Sequence, residues 1–399
     1  MVSTVNIAKV VYGGSGLGRL GDGRVVFVPG TLPGEQVKAE IVEDKKRYVI
    51  ARLVEIVEAS PERTGNEQPM NPGMAYANFS RKAELETKAA QLADFFDRAR
   101  IPLPAPPTLE AHEGMYNYRN KVVYHFGKEK GEWVLGYREE PSHRVIDVTS
   151  DPLARPEINK ALPIIRRHVF SLLTQGAPAV RKTIEHKGNL TIRWSLASGI
   201  KWWIGDKPPP NTVMKEVACG KIFEVPADGF WQMNPDIAQS LFRAVVDEYE
   251  RGKDIAPDIV DLYCGVGVFG LCCKPRSLFG VESGKAAVTF AKRNAASLGQ
   301  VNAEFIMSQV GQTLKKIKFS ETSTVILDPP RTGLEHHVAR AIVRSRAPRV
   351  LYVSCDPATL IRDLRALTHS YEIKSVKWFD MFPRTARFET FVTLERIKK

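Results

Sequence analysis

The chain is 399 residues long with 43% hydrophobic and 26% charged residues, which excludes a disordered chain and exceeds what one ordinary core holds. Lysine and arginine outnumber aspartate and glutamate by 12, a balance that points to a nucleic-acid partner. No apolar run has the length of a membrane span, the first residues lack an export signal, and five cysteines without a CxxC pair indicate reduced thiols in a cytoplasmic protein rather than disulfides or a metal site.

Residues 1–58 read as a small all-β module. Short β-rich runs at Ile7–Val11, Val25–Val28, Gln36–Ile41 and Tyr48–Leu53 are punctuated by Gly13-Gly14-Ser15-Gly16, Gly21-Asp22-Gly23 and Pro33-Gly34. This spacing suggests a small barrel of the oligonucleotide-binding kind. The run Tyr12–Arg19 with Val28-Pro29-Gly30 and Pro33-Gly34-Glu35 resembles the TRAM domain of RNA-modifying enzymes. Its charge balance is only +1, so the Lys45-Lys46-Arg47-Tyr48 corner is either an RNA contact or a solvated hairpin tip.

Residues 59–222 are expected to form a central α+β domain. A polar, proline- and glycine-rich linker leads to Ser80, which caps a helix running to about residue 100. That helix shows an apolar face of Leu85, Ala89, Leu92, Phe95 and Phe96 and is a candidate to pack on the catalytic domain. Strands are expected at Val122–Phe126, Trp133–Tyr137, Val145–Val148 and Leu190–Trp194, and a helix at Arg155–Leu173. Between 101 and 207 there are 16 Lys/Arg against 11 Asp/Glu, interleaved with aromatics as in Tyr116-Asn117-Tyr118-Arg119-Asn120-Lys121. A basic surface with stacking side chains suits single-stranded or looped RNA. Five of the eight histidines lie in this span without partnered spacing, and read as structural or surface residues.

Residues 223–399 alternate strands and helices, the pattern of a doubly wound α/β domain. Ligands in such sheets bind at the carboxyl ends of the strands. Four of those ends carry chemistry. Asp261-Leu262-Tyr263-Cys264-Gly265-Val266-Gly267 is a strand running into a Gly-x-Gly turn, and Glu282 ends the next strand, placed to take ribose hydroxyls. The third glycine of the dinucleotide fingerprint is absent, so the combination suggests S-adenosylmethionine. In Leu327-Asp328-Pro329-Pro330-Arg331 two prolines hold a rigid loop that turns Asp328 toward the pocket. In Val353-Ser354-Cys355-Asp356-Pro357, Cys355 stands between a buried strand and a helix amino terminus. There the helix dipole would favour its thiolate; the alternative is a small buried hydrophobe. Glu389, just before a final apolar strand, is open between a working carboxylate and a solvated strand start.

With Gly229-Phe230-Trp231-Gln232-Met233-Asn234 and Phe382–Glu389, these segments in this order resemble the RNA uracil-5 methyltransferase family, and the likeness covers the whole chain. The resemblance implies a Rossmann-like class I methyltransferase domain behind the TRAM barrel and the central α+β domain. It further implies S-adenosylmethionine as cofactor, Cys355 as nucleophile and Glu389 as base. Gln232, Tyr263, Gly265, Glu282 and Asp328 would line the cofactor site, with Gln309 at the position of a further contact. Many relatives carry iron–sulfur cysteines just after the TRAM module. The matching stretch here, 63–74, has none, so no cluster is expected. Arg387 stands where histidine is frequent.

The expected product is 5-methyluridine, in 23S ribosomal RNA ahead of transfer RNA, made by a monomer. The competing reading is an RNA-binding protein with a degenerate catalytic domain, against which Cys355 and Glu389 both speak. Cytosine methylation would call for a Pro-Cys pair where Asp328-Pro329-Pro330-Arg331 has no cysteine.

Overall fold

The computed structural model describes residues 2–65, 71, 73–139, 142, 144–314, 317 and 319–398. The cysteine-free stretch 63–74 therefore lies partly, at 66–70 and 72, outside the described residues. Two compact units emerge, Met1–Arg100 with Phe382–Phe388, and Ile101–Met381 with Glu389–Lys399.

In the first unit β1 (Val2–Val10), β2 (Ser15–Arg19), β3 (Val25–Pro29), β4 (Gln36–Asp44) and β5 (Tyr48–Glu58) close into a barrel in the order β1-β2-β3-β5-β4. Alternate side chains of these strands, among them Val5, Ile7, Val26, Val28, Val37 and Val49, fill its interior. The glycine-rich run is only half a turn. Gly13 and Gly14 have φ of +103° and +93°, but Gly16 belongs to β2, where a Cβ would stand 2.0 Å from Thr31 Oγ1. Gly18 is as tight, 2.4 Å from Val5, so these two glycines record close approach across the barrel wall.

The helix α1 (Arg81–Ala99) belongs to the same unit. Ser80 Oγ accepts a bond from Ala83 N at 3.1 Å, and Arg100 in the left-handed region ends the helix. Glu84 and Lys88, one turn apart, are fully buried and paired at 2.7 Å. Burying two charges is costly unless they are paired and hydrogen-bonded, and the segment 382–388 supplies further partners. Arg384 N donates to Glu84 Oε1 at 2.8 Å and Lys88 Nζ donates to the Phe382 carbonyl at 3.2 Å. The Arg384 guanidinium, itself buried, donates to the carbonyls of Tyr76 and Phe79.

The second unit opens with β6 (Thr108–Glu110), then β7 (Lys121–Glu129), β8 (Glu132–Arg138), β9 (Val145–Asp147), α2 (Pro156–Gln175), α3 (Pro178–Lys187), β10 (Asn189–Ser195) and β11 (Gly199–Ile204). The antiparallel sheet β11-β10-β7-β8-β9 packs on α2 and α3 through Tyr124, Leu135, Ile158, Leu162, Val169 and Ile192. A separate hairpin, β12 (Val213–Ala218) and β13 (Lys221–Pro226), precedes α4 (Pro235–Gly252).

The remainder is the doubly wound sheet expected from the alternating pattern. It contains β14 (Asp258–Leu262), α5 (Val268–Cys273), β15 (Ser277–Glu282), α6 (Lys285–Ser297), β16 (Ala303–Met307), α7 (Val310–Thr313), β17 (Ser323–Leu327), α8 (His336–Arg344), β18 (Arg349–Ser354), α9 (Pro357–Leu367), β19 (Tyr371–Phe379) and β20 (Glu389–Arg396). The strand order is β16-β15-β14-β17-β18-β20-β19-β6. The first five strands are parallel, and every residue of β17 and β18 is buried, as parallel strands covered on both faces must be. The chain winds outward from β14 to β16, then resumes on the other side at β17, so the winding reverses between β14 and β17. That reversal opens a crevice at their carboxyl ends. Among the described residues no helix is long and apolar enough to cross a membrane.

Candidate active site

Strand register brings the separated motifs to one edge. Leu262 and Leu327 pair at the ends of β14 and β17, so Tyr263 and Asp328 leave the sheet side by side at the reversal point. Next in the sheet, β18 ends at Ser354 and delivers Cys355. Its neighbour β20 runs antiparallel, which puts the start of β20 beside the end of β18. The last rung of the ladder joins Ser354 to Thr390, and one further step along the same register sets Cys355 opposite Glu389.

Cys355 is half-buried, and the thiol is pushed up to about 12. Burial is the main cause; the carboxyl groups of Glu389, Asp328 and Asp356 add to it, and Arg331 opposes it. This corrects the expectation that the helix terminus would favour the thiolate. The amides at the start of α9 are taken by Asp356, whose Oδ1 accepts from Ala358 N at 3.0 Å and Thr359 N at 3.1 Å. The cap thus places a negative charge where the sequence suggested a bare positive dipole end.

Glu389 is buried, and desolvation with the charge of Asp328 lifts its carboxyl well above the ordinary range, again against Arg331. Asp328, also desolvated, is raised to about 7. The resting site therefore favours the protonated forms of Cys355 and Glu389. Arg331, from the same loop as Asp328, favours ionising both.

That loop is fixed by α9. Asp363 Oδ2 accepts from Leu334 N and from the Tyr352 hydroxyl, each at 2.7 Å. Thr359 Oγ1 donates to the Arg331 carbonyl at 3.1 Å, and Arg362 donates to the carbonyls of Thr332 and Leu334 at 2.9 Å. Gly333, at φ +70°, has no room for a Cβ, which would lie 2.5 Å from Asp363 Oδ2.

A second cluster lies on β14 and β15. Tyr263 has φ +64°, an uncommon conformation for an aromatic residue, and its hydroxyl is buried without a hydrogen-bond partner. Gly265, at φ +55°, donates its N–H to Glu282 Oε2 at 3.2 Å, with open space where a Cβ would stand. Glu282 Oε1 accepts from Gly284 N at 2.7 Å, which orients the carboxylate. Asp261 is fully buried; Oδ2 accepts from Gly270 N at 3.1 Å while Oδ1 has no partner. Burial, helped by Asp328 and Glu282, raises Asp261 to about 8. Buried polar atoms left unpaired beside an open glycine turn are what a polar ligand with hydroxyl and amine donors would satisfy.

The other two candidates are differently placed. Gln232 is buried, its backbone carbonyl accepting from Asn120 Nδ2 at 3.1 Å. Its loop reaches the glycine turn through a chain of rings, Trp231 on Phe242 and Phe242 on Phe269, each pair 5.6 Å apart. Gln309 is exposed at the head of α7, one residue beyond Ser308, whose N–H donates to the Glu282 carbonyl at 2.9 Å. Sequence reasoning missed the support of the Gln232 loop. Buried Arg193 donates to the carbonyls of Ala227 and Gly229 and pairs with Glu216 at 2.8 Å, leaving Phe230 displayed at 75% exposure. The one charged residue of the strand Asn189–Ser195 was the available signal. Among the described residues no group of three or more His, Cys, Asp or Glu is placed to hold a metal ion.

With this geometry in hand, comparison with known proteins is specific. Residues 215–397 match the family described as tRNA (Uracil-5-)-methyltransferase, and residues 2–54 match the TRAM domain. An uncharacterized RNA methyltransferase of Halalkalibacterium halodurans is 28% identical, over 99% of this chain and 97% of that protein. The 23S rRNA (uracil(1939)-C(5))-methyltransferase RlmD of Methylococcus capsulatus is 29% identical, over 98% of this chain and 96% of its own. Among solved structures, the Pyrococcus abyssi tRNA (uracil-54, C5)-methyltransferase in complex with S-adenosyl-L-homocysteine superposes with a TM-score of 0.74 at 20% identity, covering 98% of this chain and 100% of that one.

Proposed function

Because the chain belongs to the S-adenosylmethionine-dependent RNA (uracil-5-)-methyltransferase family and carries a TRAM domain, we propose that it methylates carbon 5 of a uridine in 23S ribosomal RNA. The observation that carries this reading is the register that sets Cys355 opposite Glu389 beside Asp328.

Carbon 5 of uracil is a weak nucleophile. Addition of the Cys355 sulfur to carbon 6 makes an enolate whose carbon 5 can bond to an electrophilic carbon. S-adenosylmethionine, when bound, supplies that carbon as a sulfonium methyl group. Glu389 then takes the proton from carbon 5, and the electrons left behind re-form the ring double bond as the bond from sulfur to carbon 6 breaks. Arg331 helps both residues reach the ionised forms that these steps need. Tyr263, Gly265, Glu282, Asp328 and Gln232 would hold the cofactor, with Gln309 at its margin; the unpaired atoms of Asp261 and Tyr263 fit such a ligand. A single-stranded target suits residues 1–58 and 59–222 as the RNA-binding part and 223–399 as the catalytic part. Exposed Phe230, on the loop between β13 and α4, offers a stacking surface. The protein acts as a monomer in the cytoplasm, without an iron–sulfur cluster.

Ribosomal RNA is favoured by the relative from Methylococcus capsulatus and by the TRAM domain; the whole-chain likeness to the pyrococcal enzyme favours transfer RNA as the second reading. The test supplies labelled S-adenosylmethionine with ribosomal or transfer RNA from cells lacking this protein, then identifies the labelled nucleoside. Label in 5-methyluridine from ribosomal RNA is expected. The same nucleoside from transfer RNA alone would replace the substrate, and label in another nucleoside would overturn the reaction.

The raised acids make a pH prediction. Cys355 and Glu389 both act after losing a proton, so the rate at saturating cofactor should climb with pH from neutral upward. Asp328→Asn removes a negative charge that opposes both ionisations. The climb should then move to lower pH, by roughly one unit. A profile unmoved, or moved to higher pH, would contradict the assigned coupling.

A further inference from the structure

Four of the five cysteines have no part in the chemistry above, and two of them meet. Cys219 occupies the two-residue turn between β12 and β13, with φ of +49° for Cys219 and +72° for Gly220. Both positions of such a turn favour glycine or asparagine, so a cysteine there is held under backbone strain. Its N–H donates to Gln239 Oε1 at 3.1 Å, and Gln239 Nε2 donates to the Val217 carbonyl at 2.7 Å, pinning the turn to α4. The thiol is half-buried and so within reach of small solutes.

Cys272 is buried near the end of α5, its Sγ 3.9 Å from the carbonyl of Ala218, the residue before Cys219. That contact sets Cys272 against the turn that carries Cys219, and each thiol shifts the ionisation of the other. Lys221 Nζ donates to the carbonyls of Leu271 at 2.7 Å and Cys272 at 3.1 Å, which keeps an ammonium beside both sulfurs. Arg243 adds a second cation and Asp247 an opposing charge, while Lys274 and Cys273 complete the titratable groups nearby. The Cys272 thiol beside it, aided by Lys221 and Arg243, draws the Cys219 thiol down to about 7 against burial, and Cys272 is pushed the other way. Cys219, within reach of solutes, and Cys272, buried behind it next to the Lys221 ammonium, are placed as an attacking and a resolving thiol.

We propose that Cys219 is a hydroperoxide-reactive thiol and Cys272 its resolving partner, the two closing a reversible disulfide between the β12–β13 turn and α5. The Cys219 thiolate attacks one peroxide oxygen; the sulfur–oxygen bond forms, the oxygen–oxygen bond breaks, and the other oxygen leaves as water or alcohol after taking a proton. Cys272 attacks the resulting sulfenic sulfur, the sulfur–sulfur bond forms, and the hydroxyl leaves as water. The thiol pair loses two electrons and the peroxide gains them; a dithiol reverses the change.

The bond has a consequence at the cofactor turn, an argument that rests on the cofactor site proposed above. Disulfide sulfurs sit about 2.05 Å apart, well inside the contact distance of two thiols. α5 is only six residues long, begins directly after Gly267, and ties Asp261 through Gly270 N. Drawing its far end toward the hairpin shifts the turn that carries Gly265. Oxidation should weaken S-adenosylhomocysteine binding at least about fivefold, and by reciprocity the bound cofactor product should disfavour the disulfide.

The experiment treats the full-length protein with hydrogen peroxide, then measures intact mass, maps peptides without reduction, and titrates S-adenosylhomocysteine by calorimetry before and after. Expected are a loss of about 2 Da, as a disulfide removes two hydrogens, a cross-linked peptide joining Cys219 to Cys272, reversal by dithiothreitol, and weaker binding after oxidation. Cys219→Ser should stay unmodified, and Cys272→Ser should give a sulfenic acid at Cys219 that dimedone captures. A cross-link elsewhere, or peroxide consumption unchanged in Cys219→Ser, overturns the pair. A correct cross-link with unchanged affinity overturns its coupling to the cofactor. The cross-link in a protein that binds no S-adenosylhomocysteine even when reduced supports the thiol pair and overturns the cofactor assignment.

Discussion

Cys355→Ala is expected to lower turnover by on the order of 10⁴-fold or more, as removal of a covalent nucleophile does elsewhere. It should also abolish any covalent complex with RNA containing 5-fluorouracil. The wild type should trap that RNA, because fluorine at carbon 5 cannot leave as a proton and the bond from sulfur to carbon 6 persists. The contrast is read on a denaturing gel and does not depend on product release. Cys355 is half-buried just beyond the end of β18 and its sulfur makes no hydrogen bond among the described residues, so removing it should leave the fold intact. A complex of undiminished yield in the alanine variant would show that the nucleophile has been misassigned.

Glu389→Gln should separate the two halves of the reaction. Addition and methyl transfer need no base at carbon 5, whereas elimination does, so this variant should accumulate methylated RNA bound to Cys355 even with ordinary uridine. Turnover should fall by about 10²–10⁴-fold, the usual worth of a general base. Burial favours the protonated form of Glu389, and glutamine is a neutral group of the same size, so unfolding should be little changed. The check is mass spectrometry of the adduct, in which the added methyl group and a retained carbon 5 proton are both visible. Normal turnover with no adduct would take the base role away from Glu389.

How legible these features were depended on how local their causes are. The sheet of the catalytic domain could be read because β14, β17 and β18 are apolar runs cut off by Tyr263, Asp328 and Cys355, and the same residues define the site. β2 escaped notice because Gly16 and Gly18 look like turn residues; the close approach that demands them comes from Val5 on β1 and from Thr31 on the loop after β3. The hairpin of β12 and β13 and the strand β11 were likewise unread. The position of Cys355 was legible but its ionisation was not. The capping carboxylate of Asp356 is local, yet the burial and the charges of Glu389 and Asp328 arrive from separate strands. Arg193 shows the same limit, since its partners Ala227, Gly229 and Glu216 lie 23 to 36 positions away.

The buried trio of Glu84, Lys88 and Arg384 also sets a schedule for biosynthesis. Glu84 and Arg384 are 300 positions apart, so a ribosome adding about 5–20 residues per second delivers the arginine roughly 15–60 s after the glutamate. Throughout that wait the nascent amino-terminal unit lacks the segment that seals α1, and its two paired charges remain in contact with water. The amino-terminal unit is not finished when its own strands have emerged; it is completed by Phe382–Phe388. A fragment ending at residue 100 would keep all five barrel strands yet leave Glu84 and Lys88 unsealed, whereas supplying Phe382–Phe388 on a short tether would restore the closure.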